Sequence, residues 1–579
     1  MPNGSLLEWT YDAVNRTTEA KRNGQVAFSY QYDANGNETK VTDAVNGIAR
    51  DKAYDVGNRI TSMTDRGGSV SWTYHDKTHK LKETKITHDV YSNTTSYVYN
   101  PLDQNTEVVD GGQTYHFDYD EFGNVRTYTA GNGAGSSFHY DRTNKVDQLT
   151  VGNSQGTILL YETYQYDANS NRTSVERQTD TGKQTISYEY DSINQLKKET
   201  LADGTIKEYS YDGFGNRTSV KVTPPSGTAT TTTAVFNDGN QLTKFGTESI
   251  IYDANGNRTA DDKYTYTWNE ADQLAAITNK GESTPFATYK YDDDGRRIEK
   301  IVNGQTTRYH YDGDSINMLY ETDASGNVLR QYVYNANGGR IAMKSQGQTL
   351  YYHYNPHGDV VAMTDANGNV VAKYEYDAWG NVLKSDTQGI ATDNSFGYAG
   401  YMYDKEIGMY YLMARYYNPT HGVFLSVDPD PGDEDDPITQ NGYSYANNNP
   451  VMFVDPDGHY KKPLQAFGIA IAFILSNVQR ANQFNKKVIS KVTSGAKRIW
   501  KERKYTIQGP DKRNGRIFAI VNRKKKQTKS TDSRLFALDY HEIRENKKRT
   551  SGKVLHMHFG YKKNKHYFIY PSRKKTTWE

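Results

Sequence analysis

Four histidines stand close together near the C-terminus: His541, His556, His558 and His566. Two of them lie in Lys553-Val554-Leu555-His556-Met557-His558-Phe559, where polar and apolar residues alternate. In a strand this alternation puts both imidazoles on one face and Leu555, Met557 and Phe559 on the other. Imidazoles that titrate near neutrality can take a proton from a ribose 2′-hydroxyl and return one to a leaving oxygen, while a cation steadies the phosphate. The pattern nominates His556 and His558 as acid and base of a metal-independent ribonuclease, with His541, His566 and Asp539 assisting and Arg534 or Lys553 on phosphate. That chemistry needs no cofactor. A second chemistry uses the same residues, because His-x-His with Asp539 or His541 as third ligand is a Zn²⁺ donor set. A Zn²⁺ or Mg²⁺ ion there would give a metal-dependent nuclease or hydrolase. A third reading leaves the histidines as surface positions without chemistry. No Walker loop, dinucleotide fingerprint or His-Glu-x-x-His occurs.

The elements that must position these groups are strand-like segments at Arg516–Val521, Arg534–Tyr540, Lys553–Phe559 and His566–Tyr570. Helical spacing from Leu464 to about Trp500 precedes them. The spacing predicts a helical linker over 459–502 and a small basic α+β domain over 503–579. Residues 459–579 carry 31 Lys+Arg against 7 Asp+Glu, whereas residues 1–458 carry 39 against 62. The near-neutral total hides a chain with an acidic body and a basic tail. Lys547-Lys548-Arg549, Lys562-Lys563 and Arg573 mark clusters whose mutual repulsion is relieved by a polyanion, so a nucleic-acid backbone is the expected partner. The apolar run 464–478 falls short of the roughly 18–20 residues that cross a bilayer. It is expected to pack as a helix or to touch a membrane in passing, without a stable span.

The body is built differently. Tyr contributes 49 residues and Gly 48, while Cys is absent, which excludes a disulfide scaffold and Cys-ligated zinc. Tyr-Asp followed by a Gly/Asn turn recurs at Tyr32-Asp33, Tyr54-Asp55, Tyr166-Asp167, Tyr211-Asp212, Tyr252-Asp253 and Tyr376-Asp377. A spacing in the low twenties signals a repeat architecture. Each unit reads as a hairpin: alternating strand residues, an Asp that caps turn amides, a Gly or Asn that accepts positive φ, and a returning strand. One hairpin is marginal in water, so neighbours must pair edge to edge into a continuous sheet with tyrosines packed between repeats. The N-terminus Met1-Pro2-Asn3-Gly4 enters this pattern without a leader, so the expectation is either that the chain is not exported by itself or that it is the C-terminal part of a longer protein with an N-terminal delivery module.

These repeats resemble the YD-repeat, or RHS, family. So does the terminal module, which runs from Phe396-Gly397-Tyr398-Ala399-Gly400 through Ala414-Arg415-Tyr416-Tyr417-Asn418-Pro419 to Val454-Asp455-Pro456-Asp457-Gly458. The resemblance covers about residues 9–458. It implies a mainly β protein: a YD-repeat spiral β-sheet shell over 1–395, closed by an RHS core module over 396–458, around a C-terminal toxin. It also implies an aspartyl autoprotease that cuts after the second Asp-Pro-x-Gly, with Asp428 and Asp455 as the carboxylates and Arg415 as the supporting cation. The sequence departs from the family pattern at Asp428-Pro429-Asp430-Pro431-Gly432 and at His459, so a plain shell-ending turn stays open. The acidic stretch 433–436 also stays open as a cation site.

By this resemblance the chain is expected to be the C-terminal part of a secreted or wall-associated polymorphic toxin for competition between bacteria. Its tail would cleave RNA, tRNA by likeness to Gram-positive wall-associated relatives, in the cytoplasm of the target cell. A cognate immunity protein is expected, and the bacterial cell wall is a possible partner. Two rivals remain: a non-enzymatic adhesion protein with a basic anchor, and a metal-dependent DNase.

Overall fold

A computed structural model describes residues 1–179, 182–429 and 437–459, and beyond them the backbone of short strands between 462 and 568. The chain divides into two compact units, Met1–Gln479 and Arg480–Glu579.

The first unit is almost entirely β. A 23-stranded sheet runs from Leu7–Tyr11 to Glu248–Ser249, and a 14-stranded sheet from Ile251–Tyr252 to Val382–Thr387. Every strand pairs antiparallel with the next in sequence, so each sheet is a chain of hairpins. The Tyr-Asp repeat explains the hairpins residue by residue. Asp55 Oδ1 accepts the backbone amides of Gly57 and Arg59 at 2.8 and 3.0 Å, which closes the turn. The tyrosine before the Asp reaches back across the sheet. Tyr32 donates to the Thr17 carbonyl at 2.7 Å, Tyr166 to Val146 at 2.7 Å and Tyr311 to Arg297 at 2.7 Å. At one repeat Trp268 takes the tyrosine's place and its indole N–H donates to the Arg258 carbonyl at 2.7 Å. Each ring thus fills the core with its body and satisfies a backbone acceptor with its tip.

Neighbouring turns are tied by amide ladders, such as Asn37 Nδ2 to Asn58 Oδ1 and Asn216 Nδ2 to Asn240 Oδ1, at 2.8 and 2.9 Å. The core draws on both sheets, with Trp72, Tyr115 and Leu149 from the first and Tyr320, Tyr352 and Met363 from the second. Polar bridges cross between the sheets: Trp72 Nε1 to Asp312 at 2.7 Å, Lys52 to Asp314 at 2.7 Å, and Lys207 to Asp377 at 2.6 Å.

Residues 396–458 form a four-stranded sheet, Met402–Asp404, Met409–Leu412, Arg415–Asn418 and Val423–Phe424, with irregular segments around it. This module grips the repeat turns. Tyr398, Tyr417 and Tyr410 donate to the carbonyls of Ala378, Trp379 and Gly380 at 2.7–2.8 Å. Asn448 holds Gly215 and Gln195, and Asn449 holds Asn171. Arg297, fully buried, pairs with Asp404 beside Lys300 and joins the second sheet to the module.

The second unit contains a five-stranded antiparallel sheet: β1 (Tyr505–Gln508), β2 (Arg516–Asn522), β3 (Arg534–His541), β4 (Val554–Phe559) and β5 (His566–Phe568), each paired with the next. A two-stranded ladder, Arg544–Glu545 with Lys548–Arg549, lies between β3 and β4 in sequence. Of the linker expected over 459–502, Lys462–Pro463 pairs as a short strand with Phe453–Val454; the rest of it beyond 463, the apolar run 464–478 and the acidic stretch 433–436 lie outside the described residues. Among the described residues no helix is long and apolar enough to cross a membrane.

Candidate functional site

The boundary between the acidic body and the basic tail is organised by one side chain. Arg415 begins a strand of the module, after a tight turn in which Met413 adopts a positive φ of 59°. Its guanidinium lies over the Phe424 ring at 3.6 Å from the centroid. From that platform Nε donates to the Gly458 carbonyl at 2.5 Å and Nη1 to the Gly442 carbonyl at 2.9 Å. Nη2 meets Asp428 Oδ2 at 2.6 Å and Asp455 Oδ2 at 3.2 Å. The structure therefore brings Arg415, Asp428 and Asp455 together from three separate segments. Burial lowers the pKa of Arg415, and Asp455 and Asp428 oppose that shift.

The two carboxylates differ in environment. Asp455 is buried, whereas the Asp428 side chain is 16% exposed and opens to solvent. The backbone around them is fixed by residues that the sequence did not single out. Asp455 N donates to Tyr401 Oη at 2.7 Å, and Tyr401 shares a hydroxyl contact with Tyr445 at 3.0 Å. Asp428 N donates to the Gly442 carbonyl at 2.9 Å. A side chain at Gly442 would meet Val427 Cγ2 at 2.8 Å, so the close approach of these segments requires glycine there. Only the recurrence of Gly and Tyr in the module hints at these roles, and that signal does not separate them from structural neighbours.

This arrangement places a guanidinium donor on the carbonyl of the Gly458–His459 bond, as on that of Gly442, while the same guanidinium holds two carboxylates. A cation on a carbonyl oxygen stabilises the oxyanion of a tetrahedral intermediate. Two carboxylates in one site can divide the work of activating water and protonating the leaving nitrogen.

In the tail the backbone register arranges the histidine candidates. Asp539 on β3 pairs with His556 on β4, and His541 pairs with Val554. His558 pairs with His566 on β5. By strand alternation Asp539, His541, His556, His558 and His566 share one face of the sheet. Arg534 opens β3, at the far end of that strand from His541, and pairs with Val521. Lys548 and Arg549 lie on the small ladder. Lys547, Lys553, Lys562, Lys563 and Arg573 lie outside the described residues. Among the described residues Asp292, Asp293 and Asp294 are spaced to hold a metal, but Arg50 and Arg296 are already paired with them.

A meander of Tyr-Asp hairpins closed on an Asp-Pro module defines the class of YD-repeat shell proteins. The teneurin YD-shell model matches residues 153–451, and the RHS repeat model matches residues 11–48 and 32–70. The chain belongs to the teneurin YD-shell family. It is 51% identical over 390 residues to tRNA nuclease WapA of Bacillus subtilis, a match covering 67% of this chain, on its shell portion, and 16% of the relative. The tRNA(Glu)-specific nuclease WapA of Bacillus subtilis subsp. natto is 52% identical over the same share of each chain. This chain therefore spans about a sixth of the length of these curated relatives. The crystal structure of TcdB2-TccC3-TEV shares the fold, with a TM-score of 0.53 at 18% identity over 78% of this chain and 28% of that one.

Proposed function

We propose that the chain is a self-processing toxin carrier: a YD-repeat shell whose core module cuts the Gly458–His459 bond and frees a C-terminal ribonuclease used in competition between bacteria. The observation that carries this reading is Arg415, which holds the Gly458 carbonyl and both Asp428 and Asp455 at the point where the charge of the chain reverses. Asp428, the more exposed carboxylate, activates water; Asp455 protonates the departing His459 nitrogen; Arg415 stabilises the oxyanion.

The cargo reading rests on the basic tail, on the register that gathers Asp539, His556, His558 and His566, and on the WapA relatives, which are named as tRNA nucleases. RNA, tRNA in the first instance, is the substrate. A producing cell then needs an immunity protein, and the fragment acts in the cytoplasm of a recipient after delivery from a secreted or wall-associated parent.

Both halves are tested on the purified full chain. Incubation is expected to yield a fragment whose N-terminus is His459, and Asp455→Asn is expected to abolish it; cleavage that persists in the variant removes Asp455 from the chemistry. The same preparation is expected to cleave tRNA but not plasmid DNA, with EDTA present, and to lose this in His556→Ala. Loss of activity with EDTA would point to the metal-dependent reading. No cleavage of either nucleic acid would favour a basic anchor.

A further inference from the structure

The tail sheet has two chemically different faces. One carries Phe518, Ile520, Phe536, Leu538, Leu555 and Met557 by register and alternation. The other carries the histidines. Strict alternation along β2 would place Arg516 with Phe518 and Ile520 on the apolar face. The register is interrupted between Arg516 and Phe518, so that Arg516 pairs with Asp539 while Phe518 pairs with Leu538. A bulge of this kind moves one residue to the opposite face, and such bulges are over-represented next to active sites. Its effect here is an in-register row across four strands: Arg516, Asp539, His556 and Phe568. The adjoining row holds His558 opposite His566.

We infer that this row is the substrate-binding axis of the ribonuclease, with Arg516 as the phosphate-binding cation and Phe568 as the platform for an unpaired base beside the scissile phosphate. The inference rests on the ribonuclease reading and adds two residues and a substrate form to it. Guanidinium suits phosphate through its fork of donors, and an aromatic ring accepts any base that is free to leave the helix stack. Paired RNA keeps its bases stacked and is a poor substrate for such a row. His556, opposite Asp539, takes the proton of the 2′-hydroxyl. The 2′-oxygen forms a bond to phosphorus, the bond from phosphorus to the 5′-oxygen breaks, and the 5′-oxygen leaves with a proton from His558 or His566. The products are a 2′,3′-cyclic phosphate and a 5′-hydroxyl end, with no oxidant and no metal in the balance.

The test is induction of the full chain in bacteria, followed by mapping of 5′-hydroxyl and cyclic-phosphate RNA ends for the parent and for Arg516→Gln, Arg516→Lys, Phe568→Leu and Arg544→Gln. The parent is expected to leave these ends at unpaired nucleotides. Arg516→Gln is expected to lower end formation at least about 100-fold and Arg516→Lys less, as suits a lost phosphate contact. Phe568→Leu is expected to lower end formation about 10-fold and to flatten the preference for the flanking base, as suits lost stacking. Arg544→Gln, on the separate two-stranded ladder, is expected to stay within about twofold of the parent. Ends that form normally in Arg516→Gln and Phe568→Leu, or that fall equally in Arg544→Gln, overturn the row while leaving the ribonuclease intact. RNA left uncut by the parent overturns the ribonuclease reading, and the row with it.

Discussion

At the residue scale, Gly458 has no room for a side chain. It adopts φ +71°, and a Cβ there would stand 2.5 Å from the Leu412 carbonyl and 3.1 Å from Arg415 N. The left-handed conformation alone disfavours other residues. The contact decides more, because Leu412 O and Arg415 N belong to the hairpin that presents the guanidinium. Gly458→Ala is therefore expected to displace the carbonyl from Arg415 Nε and to slow release of the His459 fragment by about 100-fold or more, the scale of a lost oxyanion donor. The measurement is the rate of fragment appearance on a gel. An unchanged rate would mean that the Gly458 carbonyl is not the one attacked. Glycine at this position was legible as part of an Asp-Pro-x-Gly turn. The reason for it was not, since both clashing atoms come from a segment far away in sequence.

At the scale of elements, the second sheet buries titratable groups that its strand pattern does not reveal. His310 stacks on Tyr320 with centroids 4.3 Å apart, and His310 Nε2 meets Thr322 Oγ1 at 3.1 Å. Burial, helped by His88, holds the His310 pKa at about 3. Burial alone holds His353 at about 4. In the unfolded chain both return to ordinary values near ~6.5. Between those limits the unfolded chain binds protons that the folded one refuses, so stability falls as pH falls through this window. The slope is about 1.4 kcal/mol per pH unit for each histidine. Thermal midpoints of the full chain are expected to drop steadily from pH 7 to 4.5, with a shallower slope in His310→Gln. Equal slopes would show that His310 is not what makes the shell acid-sensitive. The alternation of β-strand residues places a histidine on a face, but whether that face is sealed depends on the sheet that packs against it.

At the scale of the whole molecule, the charge reversal predicts that the two pieces released by the proposed cut attract one another. Residues 1–458 carry the acidic excess and residues 459–579 the basic one. Attraction between exposed charges fades once the screening length shrinks to about 3 Å at 1 M salt. The cut fragment is expected to co-elute with the body in size-exclusion chromatography at low ionic strength and to separate near 1 M salt. Co-elution that survives high salt would mean that apolar contacts hold the fragment instead.

Local spacing in the sequence determined the repeat and the hairpins, because each depends on residues within one or two turns of chain. Tyr-Asp motifs announce their turns locally, and period-two alternation assigns strand faces without knowledge of neighbours. Tertiary structure decided what lies far apart in sequence and close in space: Arg415 with Asp428, Asp455 and Gly458, and Arg297 with Asp404 inside the module. It also decided Arg516, which alternation assigns to the apolar face and a bulge transfers to the histidine row. A bulge changes parity through one unpaired residue, and its position is fixed by the partner strand rather than by the strand that carries it.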